Sequence, residues 1–282
     1  MITRRQFAAS TPQLAANPLG LGGCSQEAAA DGYEAVAERT WRLGTVTDLG
    51  GAALGRELVR HATPLFTAIL VRQCTRGDYD GKPQSVEELA LLQRAGSSAT
   101  VRLLMLTERP AMEQTLDYVM QGYTAQLANA AFVKELKAWI RFNGADAVRT
   151  RDGLYSVCTG NPNIPSWIGD LAFRWILTAK GENEKVARQV PSSVGIAVLA
   201  GLATNRAHWM ETGRCYERFA LQATALGIRN AFLNQPVEVA PLRPAFAAAL
   251  GLGGQRPDLV VRFGRGPVMP RSLRRPVDAV MA

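Results

Sequence analysis

Two groups of arginines offer the clearest binding chemistry in this chain. The first is the segment 72–76, Arg-Gln-Cys-Thr-Arg, in which two guanidinium groups flank an amide, a thiol and a hydroxyl. Arginine cannot lose its proton and forms bidentate, charge-assisted hydrogen bonds, so this segment can wrap a phosphate group. The second group lies near the C-terminus and contains Arg262, Arg265, Arg271, Arg274 and Arg275. The simpler alternative for both groups is a solvated basic surface.

The composition is that of a basic globular protein. The chain has 282 residues and a formal net charge of +8, and only five of its 32 basic residues are lysines. With 47% hydrophobic and 20% charged residues, disorder throughout the chain is excluded. The length is that of one large domain or about two ordinary ones. The longest apolar stretches are interrupted by Arg, Pro or Gly before the roughly 18 residues that indicate a membrane span.

Several common site types find no support in the sequence. It contains two histidines and four cysteines without a C-x-x-C pair, so we expect neither a metal site nor a disulfide framework. It also lacks a Walker loop, a G-x-G-x-x-G turn after a strand and a G-x-S-x-G elbow. Cys74, Cys158 and Cys215 are interpreted as small buried hydrophobic residues. His208 and Glu211, one helical turn apart, are interpreted as an exposed ion pair.

Hydrophobic periodicity and capping signals predict alternating helices and strands. The motif Ser85-x-x-Glu88 predicts a capping box, Thr107 a helix cap, and Gly227 the residue after a helix end. Residues 101–107 are apolar enough for a strand buried on both faces, and 150–165 are predicted to form a loop. Helices are expected near 27–43, 54–62, 85–94, 109–128, 131–142, 166–180, 207–226 and 241–250, and strands near 101–107, 194–199, 228–233 and 257–263. The alternation predicts a small sheet covered by helices, either α+β or α/β.

Three stretches resemble FMN-dependent nitroreductases. Residues 72–83 resemble the opening motif of the family, an R-x-S-x-(R/K) cluster followed by an aromatic residue and a turn near a proline. Residues 225–236 resemble its later helix–strand unit, and 257–276 its closing strand and basic tail. Their order and spacing are most similar to the Acg-like branch, in which two nitroreductase halves are fused. The resemblance implies an α+β fold, a small mixed β-sheet covered by helices, over residues 65–282.

The resemblance also implies a set of cofactor-binding residues. Arg72 and Arg76 match the arginines that bind the FMN phosphate, and Cys74 stands where the family usually has serine. The other matched positions are Gln73, at the flavin or phosphate; Asn230, on the strand that approaches the flavin; and Arg271 and Arg274, on the phosphate side. The implied chemistry belongs to the flavin, which takes a hydride from NAD(P)H and passes electrons to a nitro or quinone acceptor.

The chain departs from the branch in its first half. Residues 57–63 resemble the lead-in to a loop that packs over the flavin, but the next residues, 64–70, already resemble the start of the second half. Residues 24–64 are therefore interpreted as a helical remnant of the first half. Only 159–167, which ends in Trp167, echoes the covering loop. In a homodimer this tryptophan would stack on the flavin of the other copy.

The N-terminus resembles an export signal. Arg4-Arg5 with Phe7 resembles a twin-arginine motif, and Leu21-Gly-Gly-Cys24 resembles a lipoprotein cleavage box. Residues 1–23 are thus predicted to direct the protein to the periplasm or to a membrane-anchored form that carries lipid on Cys24. Prolines interrupt the stretch that should be apolar. The alternative is a tail without a targeting role, which leaves the protein in the cytoplasm.

Three functions from different classes follow. The leading one is an FMN-binding, NAD(P)H-dependent nitroreductase-like oxidoreductase that acts on a small-molecule acceptor, with weak turnover. The second is a non-catalytic protein of the same fold that binds or sequesters flavin. The third is a basic structural or nucleic-acid-binding module, which an isoelectric point near 9.7 permits. We favour no nucleic-acid partner, because no motif for nucleic-acid binding accompanies the charge.

Overall fold

The computed structural model describes residues 64–275 and 279–281. The predicted export signal and the interpreted remnant before residue 64 lie outside this part and stay predictions. Helices are α1 (Pro64–Val71), α2 (Val86–Ala95), α3 (Arg109–Ala128), α4 (Ala130–Trp139), α5 (Gly144–Thr150), α6 (Ser166–Ile176), α7 (Ala179–Gln189), α8 (Arg206–Ala225), α9 (Gln235–Glu238) and α10 (Arg243–Ala249). Strands are β1 (Val101–Leu106), β2 (Ile140–Arg141), β3 (Leu154–Tyr155), β4 (Gly195–Gly201), β5 (Arg229–Phe232) and β6 (Arg256–Gly264).

A four-stranded sheet forms the centre of the fold. Its order is β1-β4-β6-β5, and each neighbouring pair of these strands is antiparallel. Every residue of β4 is buried, which is expected of a central strand covered on both faces. The separate pair β2–β3 is parallel. The predicted α+β architecture, with a small sheet covered by helices, is confirmed.

The two faces of the sheet carry separate cores because successive strand side chains point in opposite directions. On β4, Ala197 and Leu199 join a cluster with α2 and α8, which includes the fully buried Phe219. Ile196 and Val198 join a second cluster with α3, α7, α9 and α10. The sheet therefore lies between two helical layers, and β5 forms one of its edges.

An excursion between α3 and α7 builds a smaller core of its own. It contains α4, α5, α6 and the β2–β3 pair, and its buried side chains include Phe142, Phe173 and Leu177. The Phe142 and Phe173 rings meet edge to face at 6.1 Å. Gly169 lies on α6 directly against Phe142, where a Cβ atom would stand 2.3 Å from the ring. This excursion carries the 159–167 stretch.

Most predicted elements are present close to the expected residues. The capping box is confirmed: the Ser85 hydroxyl accepts from the Glu88 N–H at 3.2 Å, and Glu88 Oε2 accepts from the Ser85 N–H at 3.0 Å. Gly227 follows α8 with a φ of +71°, as expected for the residue after a helix end. Helix α3 occupies the predicted residues 109–128.

Five local predictions were wrong. The helix expected over 131–142 ends at Trp139, because Ile140 begins β2 and Asn143 caps α5. The helix expected over 166–180 ends at Ile176, and the Thr178 hydroxyl then accepts from the Gly181 N–H and starts a further helix, α7, which continues to Gln189. Glu108, not Thr107, precedes α3.

The fourth concerns the predicted strand 101–107. Val101 and Leu103 are buried but Arg102 is exposed, because β1 is an edge strand that pairs only with β4. The fifth is the predicted loop 150–165, which contains β3 and a short 3₁₀ turn at Ser156–Thr159.

None of the helices among the described residues combines the length and the apolar composition that a membrane crossing needs. Within the same residues, no cluster of three histidine, cysteine or acidic side chains is placed to hold a metal ion.

Gly122 is expected to be among the glycines least tolerant of a side chain. A Cβ atom at this position of α3 would stand 2.5 Å from the Cβ atom of Gln235 and 2.8 Å from its backbone carbon. We expect Gly122→Ala to lower the free energy of unfolding by about 2 kcal/mol through overpacking. Gly213→Ala is the control, because its Cβ meets nothing within 4 Å on α8. Alanine there should stabilise the helix by roughly 0.5–1 kcal/mol. Urea unfolding measures both, and equal effects would contradict the packing explanation.

Candidate functional site

The segment 72–76 lies along the β5 edge of the sheet. It follows α1 directly, and the Arg72 N–H donates to the Ala68 carbonyl at 2.8 Å as the helix ends. Cys74 forms a parallel bridge with Asn230 of β5, and the Thr75 N–H donates to the Asn230 carbonyl at 2.9 Å. The segment therefore continues the sheet beyond β5 and carries its two arginines along this edge.

Three consecutive carbonyl groups after this bridge are held by side chains. The Tyr79 hydroxyl donates to the Thr75 carbonyl at 2.8 Å, Gln189 Nε2 to the Arg76 carbonyl at 2.6 Å, and Arg262 Nη2 to the Gly77 carbonyl at 2.8 Å. Tyr79, Gln189 and Arg262 are all buried. Hydrogen bonds from buried side chains fix the backbone path at 75–77, which limits the positions open to the Arg76 side chain.

The closing segment 265–275 packs directly against the same residues. Gln73 Nε2 donates to the Met269 and Pro270 carbonyls at 2.6 and 2.8 Å, and Gln73 Oε1 accepts from the Met269 N–H at 3.1 Å. Arg271 Nη1 donates to the Leu70 carbonyl at 3.1 Å, at the end of α1. Two arginine groups that lie almost 200 residues apart in the sequence are thus brought together at one edge of the sheet.

The predicted site residues have different surroundings within this cluster. Arg72 Nε pairs with Glu217 of α8 at 3.0 Å, and both side chains are partly exposed. Asn230 is buried and accepts from the Tyr216 hydroxyl at 3.2 Å. Cys74 is half-buried with a free thiol.

The Gln73 amide forms its hydrogen bonds with the closing segment. Arg274 Nη1 donates to near neighbours in the sequence, the Ser272 hydroxyl and the Leu273 carbonyl. Along one edge of the sheet, the structure therefore joins Cys74 to Asn230, Gln73 to the closing segment and Arg271 to the end of α1, which Arg72 follows.

The sequence placed Arg262 in the C-terminal arginine group, but the family resemblance assigned no cofactor-binding role to Arg262 or to Tyr79. Arg262 is 1% exposed, and its guanidinium carbon lies 4.2 Å from the centre of the Tyr79 ring. Its Nη1 atom is buried without a hydrogen-bond partner. The available signal was an arginine inside the apolar strand sequence Leu259-Val-Val-Arg-Phe263, where alternation requires one of every two side chains to face inward.

Several ionisable side chains next to this edge are buried or half-buried; they lie on α3, α7 and α9 and, for Tyr79, in the segment after Arg76. Burial raises the pKa of Tyr79 and of Tyr123. Glu182 pairs with Lys185 at 3.1 Å, and burial raises the pKa of the acid and lowers that of the amine. Burial raises the pKa of Glu238 to about 7, opposed only by a hydrogen bond from Gln126. Removal from water is thus the largest cause of each of these pKa shifts.

The other candidate groups lie elsewhere or are structural. His208 Nδ1 lies 2.8 Å from Asn205 Oδ1, and Glu211 pairs with Arg214 and Arg218, so the expected His208–Glu211 ion pair is wrong. Cys158 and Cys215 are buried, as expected of small hydrophobic residues, but Cys74 is only half-buried, so the same interpretation was wrong for it. A cavity of about 260 Å³ opens beside β1, at the opposite end of the sheet from β5.

The stretch that echoes a covering loop begins beside the closing segment. Leu273 is buried against Ala147, Tyr155 and Cys158, so the 3₁₀ turn before residue 160 contacts the arginine-rich tail. Trp167, at the end of the stretch, is 69% exposed on α6. The structure therefore leaves this tryptophan accessible to a second molecule.

Removing the Gln73 amide is expected to release the closing segment. Gln73→Ala deletes three hydrogen bonds to residues 269 and 270. Each hydrogen bond contributes about 1 kcal/mol net, and bonds to water replace part of what is lost. Local opening of the closing segment should therefore become roughly 30-fold more frequent. Trypsin cleavage at Arg271–Arg275 measures it. Gln93→Ala, which removes bonds to Ser97 and Leu103, is the control, and equal cleavage of both variants would contradict the tether.

The fold and the site define a three-layer protein with an arginine-lined sheet edge suited to an anionic ligand. No family model matches the chain. Two curated proteins from strains of Mycobacterium tuberculosis, each named as a candidate NAD(P)H nitroreductase, are 24% identical to it over 225 residues. The aligned part covers 77% of this chain and 61% of each relative. The chain thus spans about three fifths of their length, and its predicted similarity to nitroreductases is confirmed.

Solved structures of FMN-bound nitroreductases also match. The protein from Bacteroides fragilis is 14% identical, with a TM-score of 0.46. The protein from Desulfitobacterium hafniense is 13% identical, with a TM-score of 0.48. Each match covers 78% of this chain and 98% of the solved chain.

Proposed function

We propose that this chain is an FMN-binding, NAD(P)H-dependent oxidoreductase of the nitroreductase type, which passes electrons to a small nitro or quinone compound. The observation that carries the proposal is the junction of the 72–76 segment with the closing segment at the β5 edge. The relatives are named for NAD(P)H and nitro compounds, and the matched solved structures hold FMN. Both points support the same cofactor pair.

The residues at the edge fit the phosphate end of FMN. Arg72 follows the end of α1 directly, Arg271 Nη1 donates to the Leu70 carbonyl at that end, and Arg76 follows on the same extended stretch as Arg72. The Thr75 hydroxyl is buried without a partner. Guanidinium groups bind phosphate through paired, charge-assisted hydrogen bonds. Cys74 supplies a weaker donor than a serine hydroxyl would, so the arginines carry most of the phosphate affinity.

The flavin supplies the redox chemistry when bound: it accepts a hydride from the nicotinamide and transfers electrons to the acceptor. The residues of this chain bind and orient it. Asn230, fixed by the Tyr216 hydroxyl and by the bridge to Cys74, lies on the strand next to the phosphate segment. Gln73 fixes the closing arginines relative to Arg72. The chain's contribution to the reaction is thus a preorganised cofactor site.

The ring end of the flavin would be less well covered than the phosphate end. The sequence offers only residues 159–167 as a counterpart of the covering loop, and Trp167 is exposed. A flavin ring that is buried on just one side loses a large part of its apolar stabilisation, because burial contributes about 25 cal/mol per Å² of apolar surface removed from water. We therefore propose weak FMN binding and low turnover by a monomer, and better coverage in a homodimer. This exposure favours non-catalytic flavin binding as the second candidate function.

The proposals on location concern residues 1–23. We propose export by the twin-arginine route and a lipid anchor at Cys24, supported by the motifs alone. Replacing Arg4 and Arg5 with lysine keeps the charge and removes the motif. If the variant has the same location as the parent in cell fractions, the export signal is contradicted. If alkali treatment releases the protein from membranes in soluble form, the lipid anchor is contradicted.

The visible spectrum of the purified protein tests the function. Flavin absorption bands are expected, with saturable FMN binding in an equilibrium titration and a mass from light scattering measured on the same sample. NADH or NADPH oxidation in the presence of a quinone supports the oxidoreductase. Flavin binding without oxidation supports the second candidate. A colourless protein that binds no FMN but binds nucleic acid would support the basic module instead.

A further inference from the structure

Arg262 is an unusual residue for the interior of a sheet. It lies in β6 between Ile196 of β4 and Ala231 of β5, and it is 1% exposed. No carboxylate in the described part of the chain forms an ion pair with it, and its Nη1 atom is buried without a partner. A guanidinium stays protonated in a protein, and a buried charge without a counterion is costly. Such a costly residue suggests a role beyond packing.

The contacts of Arg262 all lead to the backbone that carries Arg76. Its Nη2 donates to the Gly77 carbonyl at 2.8 Å, and its guanidinium lies on the Tyr79 ring at 4.2 Å. The Tyr79 hydroxyl in turn donates to the Thr75 carbonyl. Arg262 therefore touches or indirectly fixes the residues on both sides of Arg76.

Nearby acids do not neutralise this positive charge. Glu182 and Glu238 are the acids whose charges act on the pKa of Tyr123 together with those of Arg76 and Arg262. Glu182 is already paired with Lys185 at 3.1 Å. Glu238 accepts a hydrogen bond from Gln126, and its raised pKa leaves it partly protonated at neutral pH. Neither acid forms an ion pair with Arg262, so among the described residues its buried positive charge has no counterion, and water screens it little.

We propose that Arg262 is a positioning residue of the phosphate site, one that fixes the turn 75–79 and supplies a buried positive charge behind Arg76. The site then selects for the phosphate group of a ligand, so that FMN binds in preference to riboflavin. This inference rests on the proposed flavin-binding function and adds a specificity determinant to it.

The test compares FMN, riboflavin and inorganic phosphate in equilibrium titrations of the full chain. Arg262→Gln removes the charge and keeps a hydrogen-bond donor. We expect its FMN affinity to fall at least ten-fold, while its riboflavin affinity stays within three-fold of the parent. Arg262→Lys keeps the charge and should retain FMN affinity within three-fold. Arg256→Gln is the matched control on the same strand, since Arg256 pairs with Asp258 and stacks on Trp209; it should leave the FMN-to-riboflavin ratio unchanged.

Each outcome decides the matter. Equal losses for FMN and riboflavin in Arg262→Gln would show a purely structural role and overturn the proposal. A parent that binds riboflavin as tightly as FMN would overturn it while leaving flavin binding intact. If Arg262→Gln does not fold, Arg262→Lys decides. A more than three-fold fall in its ratio of FMN affinity to riboflavin affinity overturns the proposal, and a retained ratio supports it. A parent that binds neither flavin contradicts the proposed function. The Arg262 proposal then survives only if the parent binds inorganic phosphate and Arg262→Gln loses that binding.

Discussion

Arg72→Ala and Arg76→Ala are each expected to weaken FMN binding by about ten- to a hundred-fold. A hydrogen bond to a charged group is worth roughly 1.5–3 kcal/mol, which corresponds to that range of affinity. We expect the larger loss for Arg72→Ala, because it also frees the Glu217 carboxylate that Arg72 now pairs at 3.0 Å. An unpaired carboxylate beside the phosphate would repel it.

Equilibrium titration followed by flavin fluorescence measures these losses. Arg102→Ala is the control, because Arg102 is an exposed arginine on β1, at the opposite edge of the sheet, and its removal lowers the net charge by the same amount. If both site variants bind FMN like the parent, the phosphate assignment is wrong. If Arg102→Ala weakens binding as much as they do, the effect is one of overall charge and not of a site.

Glu238→Gln is expected to stabilise the protein by about 3 kcal/mol above neutral pH. Burial raises the pKa of this carboxyl from its ordinary 4.5 to about 7 in the folded protein. Between these two pH values the folded state binds more protons than the unfolded state, so stability falls as the pH rises. The cost of the buried carboxylate is complete above pH 7, and glutamine removes it.

Urea unfolding of parent and variant at several pH values measures this effect. The two proteins should differ most at pH 8 and little at pH 4, where the carboxyl is protonated in both states. Glu184→Gln is the control, because Glu184 is an exposed side chain on α7 and should change little at either pH. A stability difference between Glu238→Gln and the parent that does not depend on pH would show that the carboxyl is not buried as described.

Sequence patterns predicted the elements whose signals are local. The capping box joins Ser85 and Glu88, which are three positions apart, and the glycine after α8 acts within the last turn of that helix. Both formed as expected. Helix α7 was missed because its sequence is polar almost all round, with Val186 as its one buried apolar side chain. The break between α6 and α7 depends on a single hydroxyl at Thr178, which is a weak signal inside an otherwise helical pattern.

By itself the sequence determined the helix–strand alternation, the two arginine groups and the resemblance to nitroreductases, since these depend on residue type and spacing. Only the tertiary structure decided what the arginines and their neighbours contact. It assigned Gln73 to the closing segment, paired Arg72 with Glu217 and buried Arg262 under Tyr79. These contacts join residues about 145 to almost 200 positions apart, and they exist because the sheet order places β6 beside β5 and the 72–76 segment along its edge. Local spacing carries no information on such neighbours, because packing of the whole chain selects them.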